Sequence, residues 1–316
     1  MRALVFDGQL RLERERPIPT PPPGQVLLRT LLAGICNTDL EIVRGYAGFR
    51  GVLGHEFVAR VERAEDESLL GQRVVGEINI SCGTCVDCQA GRPTHCARRT
   101  VPGIHGQDGT LADYFCLPAR NLYAVPDGLP DERAVFVEPL AAACRIPQQV
   151  HVRPGQHVIV LGDGKLGLLV AQVLALSGCD LLAVGHHEEK LAILATRGIA
   201  TRLGHEGLEA EADVVVECTG QAAGFQAARQ LVRAQGTLVL KSTYHGKVQA
   251  DLSALVVDEV HLVGSRCGPF PAALGLRARG LVDVDPLVEA VYSLDEAPAA
   301  LEHAGRRGAL KVLVRP

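Results

Sequence analysis

Nowhere in these 316 residues do eighteen apolar residues run together, so no membrane-spanning helix is expected. Excess basic charge is also lacking. Lys and Arg number 32 against 36 Asp and Glu, a net charge of −4, which leaves no electrostatic footprint for nucleic acid. Tryptophan is absent, and no functional reading attaches to that. The opening Met-Arg-Ala-Leu-Val-Phe-Asp-Gly lacks the apolar run and small-residue cleavage site of an export signal. Ten cysteines without export are expected to stay reduced, which points to the cytoplasm. Internal repeats are missing too. The one biased segment, Pro17 to Pro23, holds five prolines and reads as a surface connector, since it suits neither a helix interior nor a central strand. Hydrophobic residues, by contrast, make up 47% of the chain, enough for two domains with cores of their own.

The first part of the chain reads as β-rich. Short strand-like runs at Leu4 to Phe6, Val26 to Arg29, Phe57 to Glu62 and Arg73 to Ile78 alternate with turn residues. Near residue 140 the texture changes. Val158 to Leu161, Leu181 to Val184, Val214 to Val216 and Thr237 to Leu240 read as strands, with helix-like Leu166 to Leu176, Glu188 to Arg197 and Phe225 to Val232 between them. Such β-α units in series predict a parallel sheet covered by helices on both faces. Leu262 and Val263 suggest one more strand. The tail ends in a strand-like Leu310 to Val314 and could rejoin the first domain, making the parallel-sheet part an insertion. The expected division is 1–140 with 271–316, and 141–270.

Cys82, Cys85, Cys88 and Cys96 follow the pattern C-x2-C-x2-C-x7-C. Zinc takes four ligands at tetrahedral corners, and two residues between cysteines let neighbouring sulfurs turn to one centre. A disulfide cluster belongs to small secreted chains, which this is not expected to be. The four cysteines therefore read as a structural zinc site.

Gly162-Asp-Gly164-Lys165-Leu166-Gly167 follows the apolar strand and opens a helix. That context makes it a dinucleotide-binding turn, where the helix N-terminus meets the pyrophosphate charge. At the end of the second strand Gly185 stands where an acid would bind a ribose 2′-hydroxyl. His186, His187 and Lys190 follow and are candidate donors to a 2′-phosphate, although Glu188 and Glu189 are close and the histidines also read as solvated. The balance leans to NADP over NAD.

Cys36, His55 and Glu138 are candidates for a second metal site, since mixed sulfur, nitrogen and carboxylate sets suit catalytic zinc. Taken singly each is bland, and their spacing does not decide the matter. A resemblance does. Cys36-Asn-Thr-Asp39, Gly54-His-Glu56, the four-cysteine lobe, Asp108-Gly-Thr-Leu-Ala-Asp-Tyr114, Glu138-Pro-Leu-Ala141, the glycine loop and Glu217-Cys-Thr-Gly220 stand in one order along the chain. That order resembles the zinc-dependent medium-chain dehydrogenases, which include alcohol, sorbitol and threonine dehydrogenases.

The resemblance implies an α/β fold: a β-rich GroES-like catalytic domain plus a Rossmann domain with a doubly wound parallel sheet. It implies two zinc ions, NAD or NADP, and an alcohol or carbonyl substrate such as a secondary alcohol or polyol. A homodimer or homotetramer is expected. Cys36, His55 and Glu138 would bind the catalytic zinc, with Glu56 beside it. Thr38 would hydrogen-bond the substrate oxygen, Asp39 would hold the imidazole of His55, and Thr219 would lie beside the cofactor. The position five residues after Cys36, a proton-relay histidine in many relatives, is Glu41 here. Two rivals differ in what they need. A zinc-free quinone-type reductase would lack the cysteine lobe and the Cys-His pair. A nucleotide-sensing protein without turnover would not need Cys36, Thr38, His55 and Glu138 together.

Overall fold

Two stretches of chain, Met1–Glu138 and Phe270–Pro316, fold into one unit, and Pro139–Pro269 fold into another. The computed structural model describes residues 1–243 and 247–316.

The first unit is built on the strand Gln25–Gly34, whose Val, Leu and Ala side chains are largely buried. It pairs antiparallel with Glu56–Arg63, Tyr114–Pro118 and the final strand Lys311–Arg315. Arg73–Gly76 and Leu122–Ala124 extend the sheet at one side, and Val288–Ser293 at the other. Leu28, Phe57, Phe115 and Leu117 pack on one another, with the two phenylalanine rings edge-to-face at 4.8 Å between centroids. A second cluster, Leu4, Ile35, Ile42, Leu53, Leu111 and Val312, draws the start and end of the chain together. In the final strand Val312, Leu313 and Val314 are fully buried. Fully burying one such side chain contributes about 1.5–3 kcal/mol. Pro17 to Pro23 form neither helix nor strand.

The second unit holds a six-stranded parallel sheet. Its spatial order is Ala200–Leu203, Asp180–Gly185, His157–Leu161, Ala212–Glu217, Val232–Leu240 and His261–Gly264. The first strand in sequence lies centrally, and the order reverses beside it, which is the doubly wound dinucleotide-binding arrangement. Val158, Ile159, Val160 and Leu161 are all buried, as a strand covered on both faces requires. Ala200–Leu203 escapes sequence reading because it is an edge strand with mostly exposed residues and no apolar run. Helix Lys165–Ala175 starts from Gly164 directly after the first turn. The β-rich unit and the parallel-sheet unit together give the expected α/β class.

Candidate active site and metal centres

The cysteine lobe has no regular core of its own. The short helix Val86–Gln89 and two tight turns bring its sulfurs together. Sγ atoms stand 3.9 Å apart for Cys82 and Cys88, 3.5 Å for Cys85 and Cys88, 3.7 Å for Cys85 and Cys96, and 3.5 Å for Cys96 and Cys82. A tetrahedron whose corners lie about 2.3 Å from its centre has edges of about 3.8 Å. A disulfide would need about 2.05 Å, so these thiols are unbonded. The guanidinium of Arg98 lies 3.2 Å from Cys82 Sγ, and the Thr84 backbone pulls the Cys82 thiol down to about 5. Burial and the neighbouring Cys85 push the Cys88 thiol up to about 11, and the four sulfurs converging at these distances fit zinc. All four corners come from protein, so the site is closed. Cys85→Ser is expected to lower the thermal midpoint and the zinc count by one, with chemistry per folded molecule little changed. Lost turnover at undiminished melting temperature would contradict the structural role.

The second constellation grows from a helix start. Cys36 caps the helix Asn37–Val43, and Asp39 at its third position closes a capping box: Oδ2 accepts from the Cys36 N–H at 2.8 Å. The other oxygen, Oδ1, accepts from the Gly54 N–H at 3.2 Å and lies 3.2 Å from His55 Nδ1. One fully buried carboxylate thus ties the cysteine loop to the histidine loop. The approach of Oδ1 to Nδ1 is close but not angled as a hydrogen bond, and with Nδ1 facing the carboxylate Nε2 is the imidazole atom left for a metal. Thr38 Oγ1 lies 3.7 Å from Cys36 Sγ. Donor atoms of Cys36, His55 and Glu56 come within 4.8 Å of one another. Glu138 is not in that set. It nonetheless lies near enough to feel the charges of His55, Glu56 and Lys311.

Charge at this site favours a cation. Burial would depress the His55 imidazole, yet Asp39 and Cys36 raise it well above its ordinary value. Burial pushes the Glu138 carboxyl up to about 7, Glu56 and Glu77 push the same way, and His55 and Lys311 oppose them. Oε1 of Glu56 is buried with no hydrogen-bond partner. Its Oε2 is paired with the ammonium of Lys311, a residue sequence reading overlooked. A lone lysine heading the apolar run Val312-Leu-Val314 was the available signal. The sulfur, the imidazole and the crowded carboxyl groups fit zinc by donor chemistry. Glu41, in the relay position, is paired with Arg44 at 2.7 Å.

Gly54 holds the histidine loop in place. Its φ is +94°, and a Cβ there would meet Leu111 at 2.7 Å from Cγ and 2.8 Å from N. Gly54→Ala is expected to cost about 2–5 kcal/mol from backbone strain and overpacking together. Zinc analysis should show the neighbouring site emptied in whatever protein folds, and a melting temperature equal to the parent's would refute this.

In the other unit the glycine loop sits where the strand His157–Leu161 ends. Gly162, Gly164, Lys165, Leu166 and Gly167 form the turn and the first turn of its helix. Thr219 folds back on the buried Glu217, donating from its N–H at 2.7 Å and from its hydroxyl at 2.6 Å. Lys190 is buried within its helix rather than extended, while His186 is exposed. Asp163, which sequence reading passed over, lies against Gly185 and the two histidines.

Residues 22–127 match the alcohol dehydrogenase GroES-like domain family, and residues 166–278 match the zinc-binding dehydrogenase family. Alcohol dehydrogenase TADH from Thermus sp. ATN1 is 30% identical, with all of both chains covered and a TM-score of 0.91. The chain belongs to the zinc-dependent medium-chain dehydrogenase family. "Probable D-xylulose reductase A" from Aspergillus fumigatus is 29% identical over 99% of this chain and 96% of that protein. A protein described as a zinc-binding dehydrogenase from Sinorhizobium meliloti 1021, with NADP bound, is 29% identical, covers 100% of this chain and 99% of its own, and has a TM-score of 0.89. This medium-chain dehydrogenase is an alcohol dehydrogenase-like oxidoreductase that acts on alcohols. Zinc and a nicotinamide dinucleotide are the cofactors of its family, and the two ligand clusters and the glycine loop fit them. No helix among the described residues is long and apolar enough to cross a membrane.

Proposed function

We propose that this dehydrogenase interconverts a secondary alcohol or polyol and the matching carbonyl by hydride transfer with NAD or NADP. The unit Met1–Glu138 with Phe270–Pro316 holds both zinc sites, and Pro139–Pro269 binds the nucleotide. The observation that carries this reading is the meeting of Cys36, His55 and Glu56 donor atoms within 4.8 Å, with Thr38 beside Cys36. Cys36, His55 and Glu138 are the proposed ligands of the catalytic metal. When bound, zinc supplies a Lewis acid for the substrate oxygen, and the nicotinamide carries the hydride.

The chain's own residues do the rest. Asp39 fixes the tautomer and orientation of His55, as carboxylates beside metal-bound histidines do. The Thr38 hydroxyl would relay the proton of the substrate hydroxyl, taking it on oxidation as it passes its own on toward solvent, with the reverse on reduction, a task for a group within hydrogen-bond reach of that oxygen. Glu41 is held by Arg44, so the onward proton path does not use the family's histidine position. Lys311 balances the carboxylate of Glu56. Beyond chemistry, the chain assembles as a homodimer or homotetramer. The exposed Val256, Val257 and Leu262, on helix Leu252–Val257 and on edge strand His261–Gly264, support a second copy there, and light scattering measures its mass.

The test of function is a panel of polyols, secondary alcohols and their carbonyls with both dinucleotides, followed at the reduced-nicotinamide absorbance. Turnover by protein carrying about two zinc ions per chain is expected. Fully metallated protein that binds a dinucleotide and turns over nothing on the panel would favour a nucleotide-sensing role instead.

A further inference from the structure

Asp163 stands between the first two glycines of the loop, where a carboxylate would work against the pyrophosphate that such a loop meets. Its side chain crosses instead to the end of the neighbouring strand Asp180–Gly185. Oδ2 accepts from the backbone N–H of His186 at 2.6 Å and of His187 at 2.7 Å. His187 Nδ1 lies 3.0 Å from the same oxygen. The residue is 8% exposed. Gly185 makes this crossing possible: a Cβ there would lie 2.5 Å from Asp163 Cβ and 2.6 Å from its Cγ. Burial alone would raise the Asp163 carboxyl, but the two backbone N–H groups and His187 hold it below the usual carboxylate range.

This geometry changes what Gly185 means. Consecutive N–H groups after a strand form an anion-binding concavity, and here a carboxylate of the chain itself already fills it. Two of the three donors counted toward a 2′-phosphate are engaged or withdrawn. His187 pairs with Asp163, and only His186 stays exposed. Arg202, on the adjacent strand, donates to the Glu206 carbonyl at 2.7 Å, and Lys190 is buried.

We infer that Asp163 sets the cofactor specificity. Its carboxylate, delivered from the glycine loop, takes the place of the missing strand-end acid, accepts from the adenosine ribose 2′-hydroxyl of NAD and repels the 2′-phosphate of NADP. The inference rests on reading the loop as a dinucleotide site, and it reverses the lean to NADP drawn from Gly185 and the donors that follow it. It also removes Gly185→Asp as a clean probe, because that side chain would collide with Asp163.

The experiment is calorimetric titration of the full chain with NAD, NADP, 5′-AMP and adenosine 2′,5′-bisphosphate, which needs no substrate. The parent is expected to bind NAD over NADP, and 5′-AMP over the bisphosphate, by about tenfold or more, since two charges near contact repel by well over the ~1.4 kcal/mol that tenfold represents. Asp163→Asn keeps an oxygen for the His186 and His187 N–H groups and removes the charge, so the preference should shrink about tenfold, with melting curves checking the fold. Asp163→Ser should act the same way. A parent that prefers NADP overturns the inference without any variant. So does a preference for NAD that both folded variants leave within about twofold. A zinc-loaded chain that binds none of the four ligands overturns the dinucleotide site itself, and this inference with it.

Discussion

Cys36→Ser is expected to lower the zinc count from about two to about one per chain and to cut turnover by about a thousandfold or more. The four-cysteine lobe keeps its ion, so the remaining zinc marks a folded protein. Sulfur is the soft member of a set otherwise made of an imidazole and carboxylates, and a hydroxyl does not replace it as a zinc ligand. Thermal stability should change little, because Cys36 is half-buried at a helix start and the Asp39 capping bonds to the backbone N–H of Cys36 and Gly54 remain. Metal analysis and a melting curve on one preparation check this. An unchanged zinc count would remove Cys36 from the metal set. Glu138→Gln separates the two carboxylates: a loss of zinc like that in Cys36→Ser makes Glu138 the third ligand, and a count still near two leaves that place to Glu56.

Lys311→Met is expected to destabilise the metal-stripped protein by about 3–5 kcal/mol, the range for removing one partner of a buried ion pair. The ammonium is 2% exposed and pairs with Glu56, which is 1% exposed. It lies 3.4 Å from the Ile35 carbonyl and 5.7 Å from the centre of the Phe136 ring. Burial works against its charge, and Glu56, Cys36 and Glu138 together raise its pKa above the ordinary lysine value. Methionine fills the volume but leaves Glu56 buried without a counter-charge. The melting temperature should fall on the order of 10 °C. Glu56→Gln in the same chain should restore part of it, because the orphaned charge is then gone. A shift under about 1 °C in Lys311→Met would show that the pair contributes nothing net.

Local pattern carried much of this protein. The unbroken apolar runs at Val158 to Leu161 and Val214 to Val216 announced a sheet covered on both faces, because a strand buried on both sides has no reason to alternate. The cysteine spacing announced a closed metal lobe, because ligands so close in sequence have few ways to converge. The edge strand Ala200–Leu203 was illegible, since an edge exposes its side chains and loses the pattern.

The sequence by itself determined the two textures of chain, the residue types of both ligand clusters and the turn that opens the nucleotide unit. Each is written in residues a few positions apart, where covalent geometry limits the choices. Only the tertiary structure decided which charges meet. Lys311 reaches Glu56 across 255 residues because the last strand returns to the first sheet. Asp163 reaches His187 across 24 residues because two parallel strands end side by side and Gly185 has no side chain to block it. Coulomb and hydrogen-bond energies depend on distance in space and on burial, and neither has a period or a spacing to be read along a chain.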